Sequence, residues 1–117
     1  IINIIDQRVF NLSPFFFSYT LSKVALYNLT ITSAMRLAPN VRVNSIAPGP
    51  VIKNIRQNKI QFKKQYMNTL LKNKVNPIEL CEAAQFFFNA LSVTGEVISL
   101  DSGQRITWRK KNIKVNE

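Results

Sequence analysis

Val41-Arg42-Val43-Asn44-Ser45-Ile46-Ala47-Pro48-Gly49-Pro50 decides how the rest of the chain is read. Val41 to Ala47 has the composition of a strand, and Pro48-Gly49-Pro50 stops it. Upstream, Ile1-Ile2-Asn3-Ile4-Ile5 is a second short apolar run, the pattern of a parallel strand buried on both faces. Between the two lies a helical pattern from about Phe16 to Leu37. Leu21, Val24, Ala25, Leu29, Ala34 and Leu37 supply apolar positions at three- and four-residue spacing. Ser13-Pro14 is expected to cap and begin this helix. Pro39 is expected to end it, because the residue before a proline avoids helical geometry. Strand, helix and strand within about fifty residues predict a right-handed βαβ unit and a parallel sheet.

Downstream, residues 51–76 form an amphipathic stretch, with Phe62, Tyr66, Met67, Leu70 and Leu71 on one side and lysines on the other. Asn76-Pro77 predicts the start of another helix running to about Leu91, with Leu80, Ala83, Ala84, Phe87 and Leu91 inward. Gly95 precedes a last strand, Glu96 to Leu100, and Asp101-Ser102-Gly103 turns out of it. From Trp108 the basic tail has no period and is expected to be flexible.

The chain has 117 residues, one domain's worth at most. With 46% hydrophobic residues it has enough apolar material for a core. Its longest apolar runs fall short of the roughly 18 residues of a membrane span. The opening residues lack the pattern of a signal peptide, so a soluble, cytoplasmic protein is expected. A single cysteine, Cys81, allows no internal disulfide, and no histidine is present, which excludes Ser-His-Asp and Cys-His schemes. Cys81 is expected to be a small buried hydrophobe on its helix.

The net charge of +10 is unevenly spread. Residues 51–76 carry seven Lys/Arg and no acid, 77–104 carry four acids and no base, and 105–117 add five bases and one acid. Aromatic side chains do not interleave with the basic ones as single-strand binding requires, so no specific nucleic-acid partner is expected. The charge is read as a solvated surface.

Three residues carry the candidate chemistry. Tyr19 and Lys23, four apart on the predicted helix, share a face, where an ammonium can lower a phenol's pKa. Asp6 ends the first strand, and ligands of open α/β sheets bind at the carboxyl ends of strands. Taken alone, Tyr19 and Lys23 read equally as an ordinary helix surface, and Asp6 as a loop cap or a partner of Arg8. The Tyr-x-x-x-Lys spacing resembles that of the short-chain dehydrogenase/reductases. Leu37 to Val51 resembles their helix–strand–cofactor-loop stretch, and Val93-Thr94-Gly95 through Asp101-Ser102-Gly103 their closing motif, with Ser102 in place of a glycine. An Asp thirteen residues before the Tyr, where most members have Ser, resembles the pteridine reductase branch, which includes the dihydromonapterin reductases.

That resemblance, covering residues 1–106, implies the C-terminal catalytic half of a Rossmann-like doubly wound α/β sheet, three strands with flanking helices. The Gly-rich N-terminal half is missing. It implies an oxidoreductase using NADPH or NADH, with Tyr19 as proton donor and Lys23 both tuning it and holding the nicotinamide ribose. Asp6 is implied to partner Tyr19 in protonating a pterin-like substrate. Pro48, Gly49 and Val51 resemble the loop that clasps the nicotinamide carboxamide. Activity is expected only with a complementing N-terminal half, and a homo-oligomer is expected through the 16–37 helix. The alternative is a non-catalytic truncated remnant acting as an interaction protein.

Overall fold

A computed structural model describes residues 1–108. Three parallel strands form one sheet: β1 (Ile2–Ile4), β2 (Asn44–Pro48) and β3 (Val97–Leu100), in the order β1-β2-β3. The helices are α1 (Phe17–Leu37), α2 (Lys59–Met67) and α3 (Pro77–Asn89). One 3-10 turn (Gln7–Phe10) follows β1 and another (Gln104–Ile106) follows β3. The expected α/β architecture is therefore present, with Ile4 opposite Ile46 and Ile46 opposite Ile98. Beyond Trp108, the expected basic tail lies outside the described residues.

The core sits between the sheet and α3. Ile46, Ala83 and Phe87 are buried together, with Leu80, Ala84, Val93, Ile98 and Leu100 packed around them. Asn76 and Glu79 start α3 with a reciprocal capping box. Its other end is held from a distance. The Arg42 guanidinium donates to the carbonyls of Phe87 (2.7 Å), Ala90 (3.1 Å), Val93 (3.2 Å) and Phe88 (3.2 Å). Helices leave their last carbonyls unpaired, and here a cation from the lead-in to β2 takes them. Asn44, 1% exposed, donates to the Val93 carbonyl and accepts from the Glu96 amide, tying β2 to the approach of β3.

Several expectations are corrected. Ile2 and Ile4 are exposed, so β1 is not buried on both faces. It is an edge strand, paired only with β2. Ser13-Pro14 does not start α1. Ser13 Oγ accepts from the Phe15 amide, Phe16 is left-handed, and the helix begins at Phe17.

The apolar stripe expected to bury α1 points outward in large part: Leu21 and Leu29 are 60% and 55% exposed. The inner face carries Thr20, Thr30 and Ala34. Asn3 of β1 donates to Thr30 Oγ1 at 3.0 Å, so polar contacts replace the oily ones. Leu91 and Cys81 are both exposed, not inward. Cys81 lies between the inward positions Leu80 and Ala83, turned away from the sheet by the helical repeat.

Among the described residues, no helix is long and apolar enough to cross a membrane.

Candidate active site

Asp6 leaves the end of β1, and its side chain does two things at once. Oδ1 accepts from the Arg8 amide at 2.8 Å and caps the following turn. Oδ2 accepts from the Tyr19 hydroxyl, also at 2.8 Å. One carboxylate oxygen thus caps the turn and the other meets the phenol. The cap holds the carboxyl toward Tyr19, because Oδ1 is tied to the turn amide.

Tyr19 and Lys23 occupy the first turns of α1, which runs back alongside β1. The Lys23 ammonium donates to the Ile4 carbonyl at 2.9 Å and lies 5.7 Å from the Tyr19 ring centroid. Carboxylate, phenol and ammonium therefore converge at the carboxyl end of the sheet. The register extends that edge: Ile4 lies opposite Ile46, so Asp6 and Pro48, two residues on, leave at the same level.

Gly49 follows, its amide bonded to the Leu100 carbonyl at 2.9 Å. A Cβ there would lie 2.8 Å from Asp101 Cα, so the exits of β2 and β3 touch only because Gly49 has no side chain. Val51 is half-buried one residue past Pro50, whose carbonyl accepts from the Val75 amide. A groove of about 270 Å³ lies at the end of β3, lined by Val75, Glu79, Asp101 and Arg105 among others, away from the Asp6–Tyr19–Lys23 set.

The electrostatics correct one expectation. Lys23 was expected to lower the Tyr19 pKa. Instead the phenol is pushed up to about 12, first by burial, then by its hydrogen bond to Asp6 and by that carboxylate's charge. Arg8 alone pulls the other way. The physical reason is distance and partner: Asp6 touches the hydroxyl, whereas the ammonium is spent on a backbone carbonyl.

Arg8 was read from the sequence only as a possible partner of Asp6. Its guanidinium stacks over the Phe16 ring at 4.9 Å. No spacing rule exposes that contact, since it depends on the left-handed turn at Phe16 (φ 58°). Of the phenylalanine clusters, Phe87 is core, while Phe15, Phe16, Phe17, Phe86 and Phe88 are exposed. No cluster of His, Cys, Asp and Glu suited to a metal occurs among the described residues.

Comparison with known proteins identifies relatives of this chain. A family model described as Enoyl-(Acyl carrier protein) reductase matches residues 1–105. Dihydromonapterin reductase of Escherichia coli (strain K12) is 33% identical over 107 residues, which cover 91% of this chain and 44% of that protein. The crystal structure of FolM Alternative dihydrofolate reductase 1 from Brucella canis complexed with NADP superposes with a TM-score of 0.93. It is 45% identical and covers 97% of this chain and 45% of the other. A short-chain dehydrogenase/reductase structure from Burkholderia xenovorans gives a TM-score of 0.76 at 30% identity, over 90% of this chain and 41% of the other. The chain thus spans under half the length of the relatives it matches. The matched family model, over nearly the whole of its described residues, shows that the chain belongs to the short-chain dehydrogenase/reductases.

Proposed function

We propose that this chain carries the proton-transfer side of a pteridine-reductase-like oxidoreductase, with Tyr19 as the proton donor, Asp6 as its relay and Lys23 as a cofactor-holding cation. The observation that carries the reading is the 2.8 Å hydrogen bond between the Tyr19 hydroxyl and Asp6 Oδ2, one helical turn from Lys23. A phenol with its pKa near 12 stays protonated at neutral pH, the state a proton donor needs. After transfer, a proton taken up from water by Asp6 Oδ2 can pass to the phenolate, so the carboxylate relays solvent protons to Tyr19 and is left as it began. It is anchored through Oδ1, so Oδ2 keeps its place while the proton moves.

The donor set suits a nicotinamide dinucleotide, NADPH or NADH. Lys23 has three N–H donors and commits one to the Ile4 carbonyl. Pro48, Gly49 and Val51 would hold the carboxamide end, with the bare Cα of Gly49 keeping the exit of β2 narrow. When bound, that group supplies the hydride. The pyrophosphate grip is a different matter. The three glycines, Gly49, Gly95 and Gly103, are scattered and open no α-helix, so these 117 residues provide no glycine-rich phosphate turn. Turnover by these residues alone is therefore expected to be negligible, with activity requiring a glycine-rich half to complement them. The exposed edge of β1, with Ile2 and Ile4, offers that half a place to pair. Exposed Leu21, Leu29 and Met35 on α1 support a homo-oligomer.

The test is NADPH oxidation with dihydromonapterin or dihydrofolate as substrate. The chain is assayed alone and co-expressed with the glycine-rich half of the Brucella canis relative. Turnover is expected only in the complemented form, and Tyr19→Phe should lower kcat by about 100-fold or more. Fast turnover by the chain alone, or an unaffected Tyr19→Phe, overturns the proposal.

A further inference from the structure

Between the exit of β2 and the start of α3 the chain makes an excursion, residues 51–74, whose two ends meet. The Val75 amide donates to the Pro50 carbonyl at 2.9 Å and closes its neck. The Leu71 amide donates to the Ser102 carbonyl at 3.1 Å. Leu70 lies so close over Gly103 that a Cβ there would stand 2.9 Å from the leucine. Pro50 directly follows Pro48-Gly49, which leaves the sheet level with Asp6. The excursion is therefore rooted at the carboxyl edge that carries Asp6, Tyr19 and Lys23.

Its charge is one-sided. Seven Lys and Arg stand among its twenty-four residues with no Asp or Glu, and all seven are exposed. Among the described residues none of them meets a carboxylate, the one ion pair being Arg105 with Asp101. Lys53 alone has its ammonium engaged, on the carbonyls of Asn54 and Gln57.

Helix stability does not account for this arrangement. Lys59 opens α2, where the dipole disfavours a cation, and no acid stands in that first turn. Lys59 and Lys63 lie one turn apart on one face, a like-charge pair that costs helix stability. The scaffold beneath them is well built all the same. Asn58 and Gln61 form a reciprocal capping box, Gln57 donates to Gln65 at 2.8 Å, and the Phe62 and Tyr66 rings meet edge to face at 5.4 Å. Since α2 buries none of its residues, its lysines stay open to a ligand.

We propose that this basic excursion receives the carboxylates of a substrate tail, which makes the preferred substrate a pterin carrying a glutamate chain. The inference rests on the reductase reading and names its substrate class. Dihydromonapterin has an uncharged side chain, whereas the glutamate of dihydrofolate brings two carboxylates and each added γ-glutamate one more. Separate ammonium charges on flexible stems suit such a tail, because they demand no fixed fork geometry.

The complemented form is assayed with dihydromonapterin and with dihydrofolate triglutamate, and the ratio of their KM values is read. Lys59→Gln/Lys63→Gln/Lys64→Gln should raise the triglutamate KM relative to that of dihydromonapterin by about tenfold, as expected when several solvent-exposed ion pairs are lost together. Raising the salt from about 0.05 M to about 0.5 M should move the parent's ratio the same way, since such pairs are screened. Arg36→Gln, at the far end of α1 from Tyr19, removes charge elsewhere and should change the ratio less than Lys63→Gln does. On the chain alone, p-aminobenzoyl triglutamate, which has no pterin, should shift the backbone amide resonances of 51–74, and the triple variant should lose those shifts.

A ratio that ignores the triple variant, or that responds equally to Arg36→Gln and Lys63→Gln, overturns the proposal and leaves the reductase reading standing. If the complemented chain reduces neither pterin, the reductase reading falls and the resonance shifts decide, their absence overturning the tail site as well. A single-stranded oligonucleotide that binds the same residues more tightly than the triglutamate makes this a nucleic-acid surface and also overturns the proposal.

Discussion

Gly49→Ala puts a single methyl group where the exits of β2 and β3 meet. The added carbon would lie 2.8 Å from Asp101 Cα, 3.0 Å from its Cβ and 3.1 Å from its carbonyl oxygen. Carbon atoms rest at about 3.5–4.0 Å, so the overlap is at least half an ångström and falls on backbone. Asp101 has little freedom to yield. It is 2% exposed, and its carboxylate accepts from the Gly103 and Arg105 amides and from the Arg105 guanidinium. Over-packing of this kind costs about 2–3 kcal/mol, which lowers the melting temperature by roughly 8–12 °C in a domain this size.

Urea denaturation followed by circular dichroism measures the loss. Gly95→Ala is the matched control: Gly95 has φ +77°, and its nearest neighbour would be 3.7 Å away, so it reports backbone strain without a clash. That strain is about 1–2 kcal/mol. A cost for Gly49→Ala below about 0.5 kcal/mol would refute the close-approach argument. It would also remove the reason for a glycine in the proposed cofactor clasp.

Other perturbations test separate parts of the fold. Arg42→Met removes the guanidinium donor from four carbonyls around the end of α3, of which Ala90 and Val93 keep another donor, and should cost about 2 kcal/mol in the same denaturation assay; an effect within experimental error would show that water takes over the cap. Phe87→Ala, at 1% exposure in the centre of the core, should cost about 3–5 kcal/mol, and a neutral result would contradict the packing between α3 and the sheet. Tyr19 gives a pH signature. Its pKa is raised from 10.0 to about 12 on folding, so the folded chain holds a proton that the unfolded chain releases. The stability this provides is complete below pH 10 and is lost as the pH rises through about 12. Tyr19→Phe should flatten that part of the pH–stability curve, and an unchanged slope would place the phenol in a less perturbed setting. Leu29→Glu on the exposed side of α1 should shift sedimentation toward monomer if this face joins copies; unchanged sedimentation would leave α1 outside the interface.

The βαβ unit, the parallel strands and the helix over Pro77 were legible in the residues because they rest on local causes. Apolar runs of strand length, a proline that breaks a helix and an Asn-Pro pair that starts one each act within a few residues. Tyr19 and Lys23 were legible as a helical spacing for the same reason, whereas Asp6 joined them through the family resemblance. What their side chains do to one another was not. A helical repeat places an ammonium near a phenol, but only the fold shows that the ammonium goes to Ile4 and the carboxylate takes the hydroxyl. Nor could an apolar count along α1 reveal which stripe meets the sheet, since Thr30 reaches Asn3 across twenty-seven residues while Leu21 and Leu29 lie outward. Arg42 under α3 and Arg8 on Phe16 belong to the same class. Each depends on where two segments come to lie after folding, and hydrogen-bond geometry and desolvation act over a few ångströms of space, whatever the distance along the chain.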